Sequence, residues 1–103
     1  MDIAQINFPI NDNDGVKLKA PLLIQKELCS QFGGCTAYDG AGSWINDNGK
    51  LYAEPVKIIQ TAFKNNAKNR LFLKNLVKKY GKLSRQEAVY LSINNKADII
   101  NIK

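Results

Sequence analysis

The sequence predicts one α+β domain over residues 1–103, of the ferredoxin-like kind. That is a β-α-β-β-α-β two-layer sandwich, here with a long central hairpin and a short C-terminal strand. Three observations carry the prediction. Residues 32–58, FGGCTAYDGAGSWINDNGKLYAEPVKI, read as one long hairpin with turn formers at its middle. Apolar residues recur at helical spacing on either side of it. An alternating segment near each end of the chain reads as a strand. At 103 residues the chain can bury one core but not two.

In residues 2–8, Ala4, Ile6 and Phe8 alternate with Gln5 and Asn7, the pattern of a half-buried strand that Pro9 ends. Asn11, Asp12, Asn13, Asp14 and Gly15 follow. They resemble half a calcium loop, but the acids are out of register and no glutamate follows until Glu27, so a turn is expected. The first helix starts near Ala20 and Pro21, because proline suits a first helical turn. Ile24, Leu28 and Phe32 form its apolar side, and Gly33 and Gly34 stop it.

The hairpin's first arm covers residues 35–45 and its second residues 51–63, joined through Asp47, Asn48 and Gly49. Gly40 and Gly42 predict a bulge, or close approach of a backbone or ligand. Pro55 predicts an edge position or a bulge, since it has no N–H for the ladder. Asn65 or Asn66 caps the second helix. Phe72, Leu73, Leu76, Val77 and Tyr80 make its apolar stripe, with Leu71 an exception on the other side. Gly81 is expected to cap it. Residues 88–93 alternate with Val89, Leu91 and Ile93 inward. After a turn at 94–96, residues 97–102 add a short strand.

Charge narrows the functional classes. The net charge is +6, and residues 64–86 hold eight basic side chains and no acid. Lys68, Arg70, Lys74, Lys78, Lys79, Lys82 and Arg85 thus form a candidate basic surface for a polyanion or an acidic protein, or an ordinary solvated helix face. Histidine is absent, which removes the commonest neutral-pH base and most transition-metal chemistry. Cys29 and Cys35 match no common zinc spacing and are expected as free thiols near the core. A disulfide from helix end to next strand is the expectation only for an exported chain. No cofactor or metal is expected. The N-terminus lacks the basic and apolar regions of a signal peptide, and no apolar run spans a bilayer, so a cytoplasmic protein is expected.

The sequence resembles small uncharacterised proteins of phages, plasmids and other mobile elements. They share an "FGG-x-T-A-Y-x-G-x-G-x-W" arm, met here by Phe32, Gly33, Gly34, Thr36, Ala37, Tyr38, Gly40, Gly42 and Trp44. The return arm "D-x-G-x-L-x-x-E-P-V" is met by Asp47, Gly49, Leu51, Glu54, Pro55 and Val56, and a late "Q-E-A-V" by Gln86, Glu87, Ala88 and Val89. The resemblance implies the ferredoxin-like fold and a mobile-element origin, within the host cell's cytoplasm, and carries no catalytic residues.

The functional expectation is a non-enzymatic protein that binds an unidentified protein partner, such as a host defence system in the manner of an anti-CRISPR. Tyr38, Trp44 and Tyr52 are the candidate anchors on the hairpin, the ordinary alternative being a Trp44 packed in the core. The alternative function is electrostatic nucleic-acid binding through the basic second helix. Base reading on the sheet is not expected, because residues 6–8 and 57–63 hold one phenylalanine each, without spaced aromatics. As an enzyme the chain would draw on Asp39, Glu54, Glu87 or Cys35, none with a histidine to serve it. An open sheet face would also allow a homodimer.

Overall fold

In the computed structural model, residues 1–102 are described. The elements are β1 (Asp2–Pro9), α1 (Ala20–Phe32), β2 (Thr36–Ile45), β3 (Leu51–Phe63), α2 (Ala67–Leu83), β4 (Ala88–Ile93) and β5 (Lys96–Asn101). The strands form one antiparallel sheet in the order β2-β3-β1-β4-β5. The fold is therefore α+β, with a five-stranded antiparallel sheet and two helices. The last strand is a full member of the sheet, turned back on β4 through Asn94 and Asn95, both at positive φ. Asparagine tolerates that conformation better than most residues.

Strand alternation decides where the core lies. Ala4, Ile6 and Phe8 of β1, Ile59 and Phe63 of β3, and Val89 and Leu91 of β4 are buried on one face. Ile24 and Leu28 of α1 and Leu73, Leu76 and Val77 of α2 close that face. Both phenylalanines once eligible to stack a base, Phe8 and Phe63, belong to this core. Phe32 joins the layers, its ring 5.6 Å from that of Phe63 and 5.5 Å edge-on from that of Phe72. Glu27 of α1 accepts hydrogen bonds from the Tyr80 hydroxyl and, at 3.1 Å, from Lys79 Nζ, tying the helices together.

The local signals hold at most termini. Gly33 ends α1 at φ 95°, and its N–H returns to the Cys29 carbonyl at 2.9 Å. Asn66 caps α2 by accepting from the Asn69 N–H at 2.9 Å. The Asn11-to-Gly15 stretch is a turn: Asp12 Oδ1 accepts from the Asp14 and Val16 N–H groups, both at 2.9 Å.

Three expectations are corrected. Gly81 does not cap α2, which runs on to Leu83 and ends at Ser84. Gly81 is instead buried where a Cβ would lie 2.7 Å from Ile102 Cδ1, so it is small for packing. The glycines of β2 make no bulge, since β2 and β3 stay in continuous register from Thr36↔Gln60 to Ile45↔Leu51. A Cβ on Gly40 would meet Ile58 Cδ1 at 2.8 Å, so this glycine makes room for its diagonal neighbour on β3. Pro55 sits in the same unbroken register. Its carbonyl accepts from the Ile10 N–H at 3.1 Å, and the Ile10 carbonyl opposite its nitrogen accepts instead from the Leu18 N–H at 2.8 Å, so the missing N–H leaves no partner unpaired. Among the described residues, no helix is long and apolar enough to cross a membrane.

Candidate functional site

With both helices on one side, the other face of the sheet carries Ile3, Gln5, Asn7 and Pro9 of β1 beside Thr36, Tyr38, Gly40, Gly42 and Trp44 of β2. Tyr52, Glu54, Val56, Ile58, Gln60 and Ala62 of β3 follow, then Ala88, Tyr90 and Ser92 of β4 and Ala97, Ile99 and Asn101 of β5. This open face is apolar and amide in character. In a chain with fifteen lysines and arginines, its strand residues include none of them, and their one charged group is Glu54.

The β2–β3 ribbon reaches beyond the helices, which accounts for the molecule's long axis of 42 Å against 25 Å across. Asn46 builds its tip: its side chain accepts from the Asn48 and Lys50 N–H groups, and Gly49 takes φ 78°. Trp44 and Tyr52 pair directly across the strands and stack, with centroids 5.6 Å apart and planes at 16°. Tyr38, Trp44 and Tyr52 are 47%, 49% and 39% exposed, so Trp44 is not a core residue. Lys50 Nζ lies 5.3 Å from the Tyr52 ring centre, a cation drawn to the negative face of the pair.

Beside the stack, Gly42 stands opposite Glu54. A Cβ there would touch only Val56 Cγ1, at an ordinary 3.5 Å, so the floor is bare without packing that demands glycine. Toward the sheet centre the surface becomes a chain of amides. Gln60 Nε2 donates to Gln5 Oε1 at 2.8 Å, and Gln5 Nε2 donates to Asn7 Oδ1 at 3.0 Å. The sequence places Gln5 and Asn7 on the polar side of β1 without giving them a role, and does not single out Gln60. Their signal was present as Gln5 and Asn7 at alternate positions of β1 and Gln60 at the matching position of β3.

The other predicted groups lie elsewhere. Lys68, Arg70, Lys74, Lys78, Lys79, Lys82 and Arg85 are exposed on or just beyond α2, in the opposite layer. Two of them have local partners: Arg70 donates to Asn65 Oδ1 at 2.7 Å, and Lys79 pairs with Glu27. Asp39 is on the helix side, in an ion pair with Lys57. That pair sits in a groove of about 730 Å³ beside the start of α1, with Lys17, Lys19 and Lys26 around Leu22 and Leu23. Glu87 precedes β4, far along the chain from the ribbon acids. Cys35 lines a smaller depression of about 370 Å³ with Phe32, Gly34, Thr36 and Gln60. Cys29 is exposed rather than near the core. Among the described residues, no three His, Cys, Asp or Glu side chains come together as a metal site.

The family model described as Protein of unknown function (DUF3574) matches residues 22–99, and the chain belongs to that family. No curated protein matches it. Two solved structures share its fold. A phage SAM lyase in complex with S-methyl-5'-thioadenosine is 18% identical, with a TM-score of 0.66, covering 97% of this chain and 88% of that one. A phage SAM lyase in the apo state is 15% identical, with a TM-score of 0.71 and the same coverage. Both neighbours are enzymes, so they lend no support to the expectation of a non-enzymatic protein.

Proposed function

We propose that this DUF3574 chain binds S-adenosylmethionine on the open face of its ribbon and cleaves it as a lyase, leaving S-methyl-5'-thioadenosine. The observation that carries the reading is the charge pattern of that face: one carboxylate, Glu54, beside a stacked aromatic pair and a bare glycine floor, with no lysine or arginine among its strand residues. The likeness over nearly the whole chain to a phage SAM lyase holding S-methyl-5'-thioadenosine supports it. The sheet order supports reading the fold as ferredoxin-like, and the phage source of both neighbours supports a mobile-element origin.

The roles follow from chemistry. The Trp44–Tyr52 pair offers π surface to the adenine, and Gly42 lets the ligand reach the sheet backbone. Glu54 complements the sulfonium cation. When the substrate's own carboxylate attacks the carbon adjoining sulfur, the carbon–sulfur bond breaks and its electron pair stays on sulfur. The amino-acid fragment leaves as a lactone and the cation becomes a neutral thioether, a change that a face with few charges favours. Glu54 then serves capture more than cleavage, because it stabilises the charge that the reaction removes. The larger groove beside α1 suits a cation poorly, since Lys17, Lys19, Lys26 and Lys57 surround it.

Calorimetric titration with S-adenosylmethionine and with S-methyl-5'-thioadenosine tests this, together with chromatography for the thioether product. Glu54→Gln weakens sulfonium binding by about threefold to tenfold and raises KM without lowering kcat. It leaves the thioether's affinity within about twofold, because no charge is lost there. Gly42→Val and Trp44→Ala weaken both ligands. Absence of product, with no binding heat from either ligand at millimolar concentration, refutes the reading.

A second reading rests on the reverse of the same ribbon. Ile45 and Leu51 pair across the strands and are 68% and 63% exposed, so the tip is apolar on both sides. That favours a protein partner gripping it, such as a component of a host defence system like CRISPR. Paired changes Ile45→Asp and Leu51→Asp abolish capture of that partner from host lysate while leaving the nucleoside titration unchanged.

A further inference from the structure

Cys29 lies in the last turn of α1 and Cys35 immediately before β2, with their Sγ atoms 3.8 Å apart. Both are free thiols, Cys29 exposed and Cys35 half-buried. A disulfide needs the sulfurs at about 2.0 Å, so closure requires a side-chain rotation and a small backbone adjustment. The exposed Cys29 side chain can supply the rotation, and the six-residue separation is bridged by a connector held at Gly33 N–H to the Cys29 carbonyl and at the Gly34 carbonyl by Thr61. Nothing lies within 4 Å of where Gly33 or Gly34 would carry a Cβ, so no side chain packs against the connector there to block the adjustment.

We propose that Cys29 and Cys35 form a reversible intramolecular disulfide when the chain meets a low-molecular-weight disulfide such as oxidised glutathione. This is independent of what the open face binds. The Cys29 thiolate attacks one sulfur of the oxidant, forming a mixed disulfide and releasing one glutathione thiolate, which takes up the proton Cys29 lost. Cys35 then loses its proton, attacks Cys29 Sγ, and expels the second glutathione. The chain gives up two electrons and two protons, and the oxidant leaves as two reduced thiols.

The environments assign this order. Cys29 is the accessible sulfur. The Cys35 thiol is pushed up to about 11, by burial first and then by the hydrogen bond and charge of Cys29. Capping Cys29 in the mixed disulfide removes the last two causes, so Cys35 ionises more readily when its attack is required. The bond fastens the exit of α1 to the start of the edge strand β2. It also draws Cys35 Sγ toward Cys29 and away from the Gln25 carbonyl, which it now approaches at 3.8 Å.

The test incubates the purified chain in graded mixtures of oxidised and reduced glutathione, followed by alkylation, trypsin and mass spectrometry. Residues 27–50 contain both cysteines and no internal lysine or arginine, so one tryptic peptide reports on both. The expected result is that this peptide loses two hydrogens and resists alkylation, with the chain still monomeric and its Tm raised by several degrees. Excess reduced glutathione reverses it. Cys35→Ser stops at a single stable glutathione adduct on Cys29, and Cys29→Ser, a change at an exposed position, forms no intramolecular bond. A wild-type chain that stops at the adduct, links to a second chain, or leaves both thiols open to alkylation overturns the proposal.

Discussion

The two layers of this chain present opposite surfaces. The helix layer carries α2 with its exposed lysines and arginines, and its inner side holds the core. The open sheet face carries aromatics, amides and one carboxylate. Both are built from strands and helices with the same two-sided patterning. The difference is in what each side must do. The inner side must exclude water, so its buried strand positions are apolar except for Thr61, whose hydroxyl donates to the Gly34 carbonyl, and they tolerate little change. The open face contributes less to stability, so its exposed Trp44 and its glycine floor carry more weight in a functional reading than the buried rings do.

Stability measurements break the comparison most sharply. Leu73 is fully buried between α2 and the sheet, and Leu73→Ala should cost roughly 2–5 kcal/mol in urea unfolding. Trp44→Ala on the open ribbon should cost about 1 kcal/mol, mostly from the lost stack with Tyr52. Equal costs for the two would show that the ribbon is part of the stabilising core.

A smaller effect separates the layers by pH. The Tyr80 hydroxyl, more than Lys79, holds the Glu27 carboxyl below its ordinary value, against the opposing effect of burial. Glu27 in turn raises Tyr80 and Lys79. A lowered carboxyl contributes stability above its unfolded pKa and loses it as pH falls through the folded value. A raised phenol or amine contributes below its unfolded pKa and loses it as pH rises through the folded value. The cluster therefore strengthens the helix pairing from about pH 5 to about pH 10 and fades at either end. Tyr80→Phe should lower stability by about 1 kcal/mol near neutrality and flatten the acid limb, read from urea midpoints across a pH series.

The smallest effect concerns separation itself. Lys74→Glu with Lys78→Glu reverses charge on the helix layer only. Screening over about 10 Å at ordinary salt should keep open-face ligand affinity within about twofold. A large change in the titration would show that the two surfaces act as one field.

Much of the architecture was legible beforehand. The hairpin arms, both helices, the Gly33 stop and the Asn66 cap rest on local chemistry and are found where that chemistry puts them. Gly81 was misread because a glycine near a helix end has two uses, and only the Ile102 contact distinguishes packing from capping. Of the two readings of the β2 glycines only the bulge fails, since a register without a bulge depends on every pair along both arms. The site was half legible. Tyr38, Trp44 and Tyr52 stand out in the sequence, but the Gln60–Gln5–Asn7 chain joins residues fifty-five positions apart.

By itself the sequence determined the elements, their order and the two-sided pattern of each strand, because those depend on neighbours a few residues away. Tertiary structure decided which side of each strand the helices cover, and so which residues face solvent. It also decided that Trp44 lies outside the core, that Glu54 is the one charged strand residue on its face, and that the sulfurs of Cys29 and Cys35 come within 3.8 Å. Alternation assigns residues to one of two faces, but only long-range pairing and helix docking settle which face is buried.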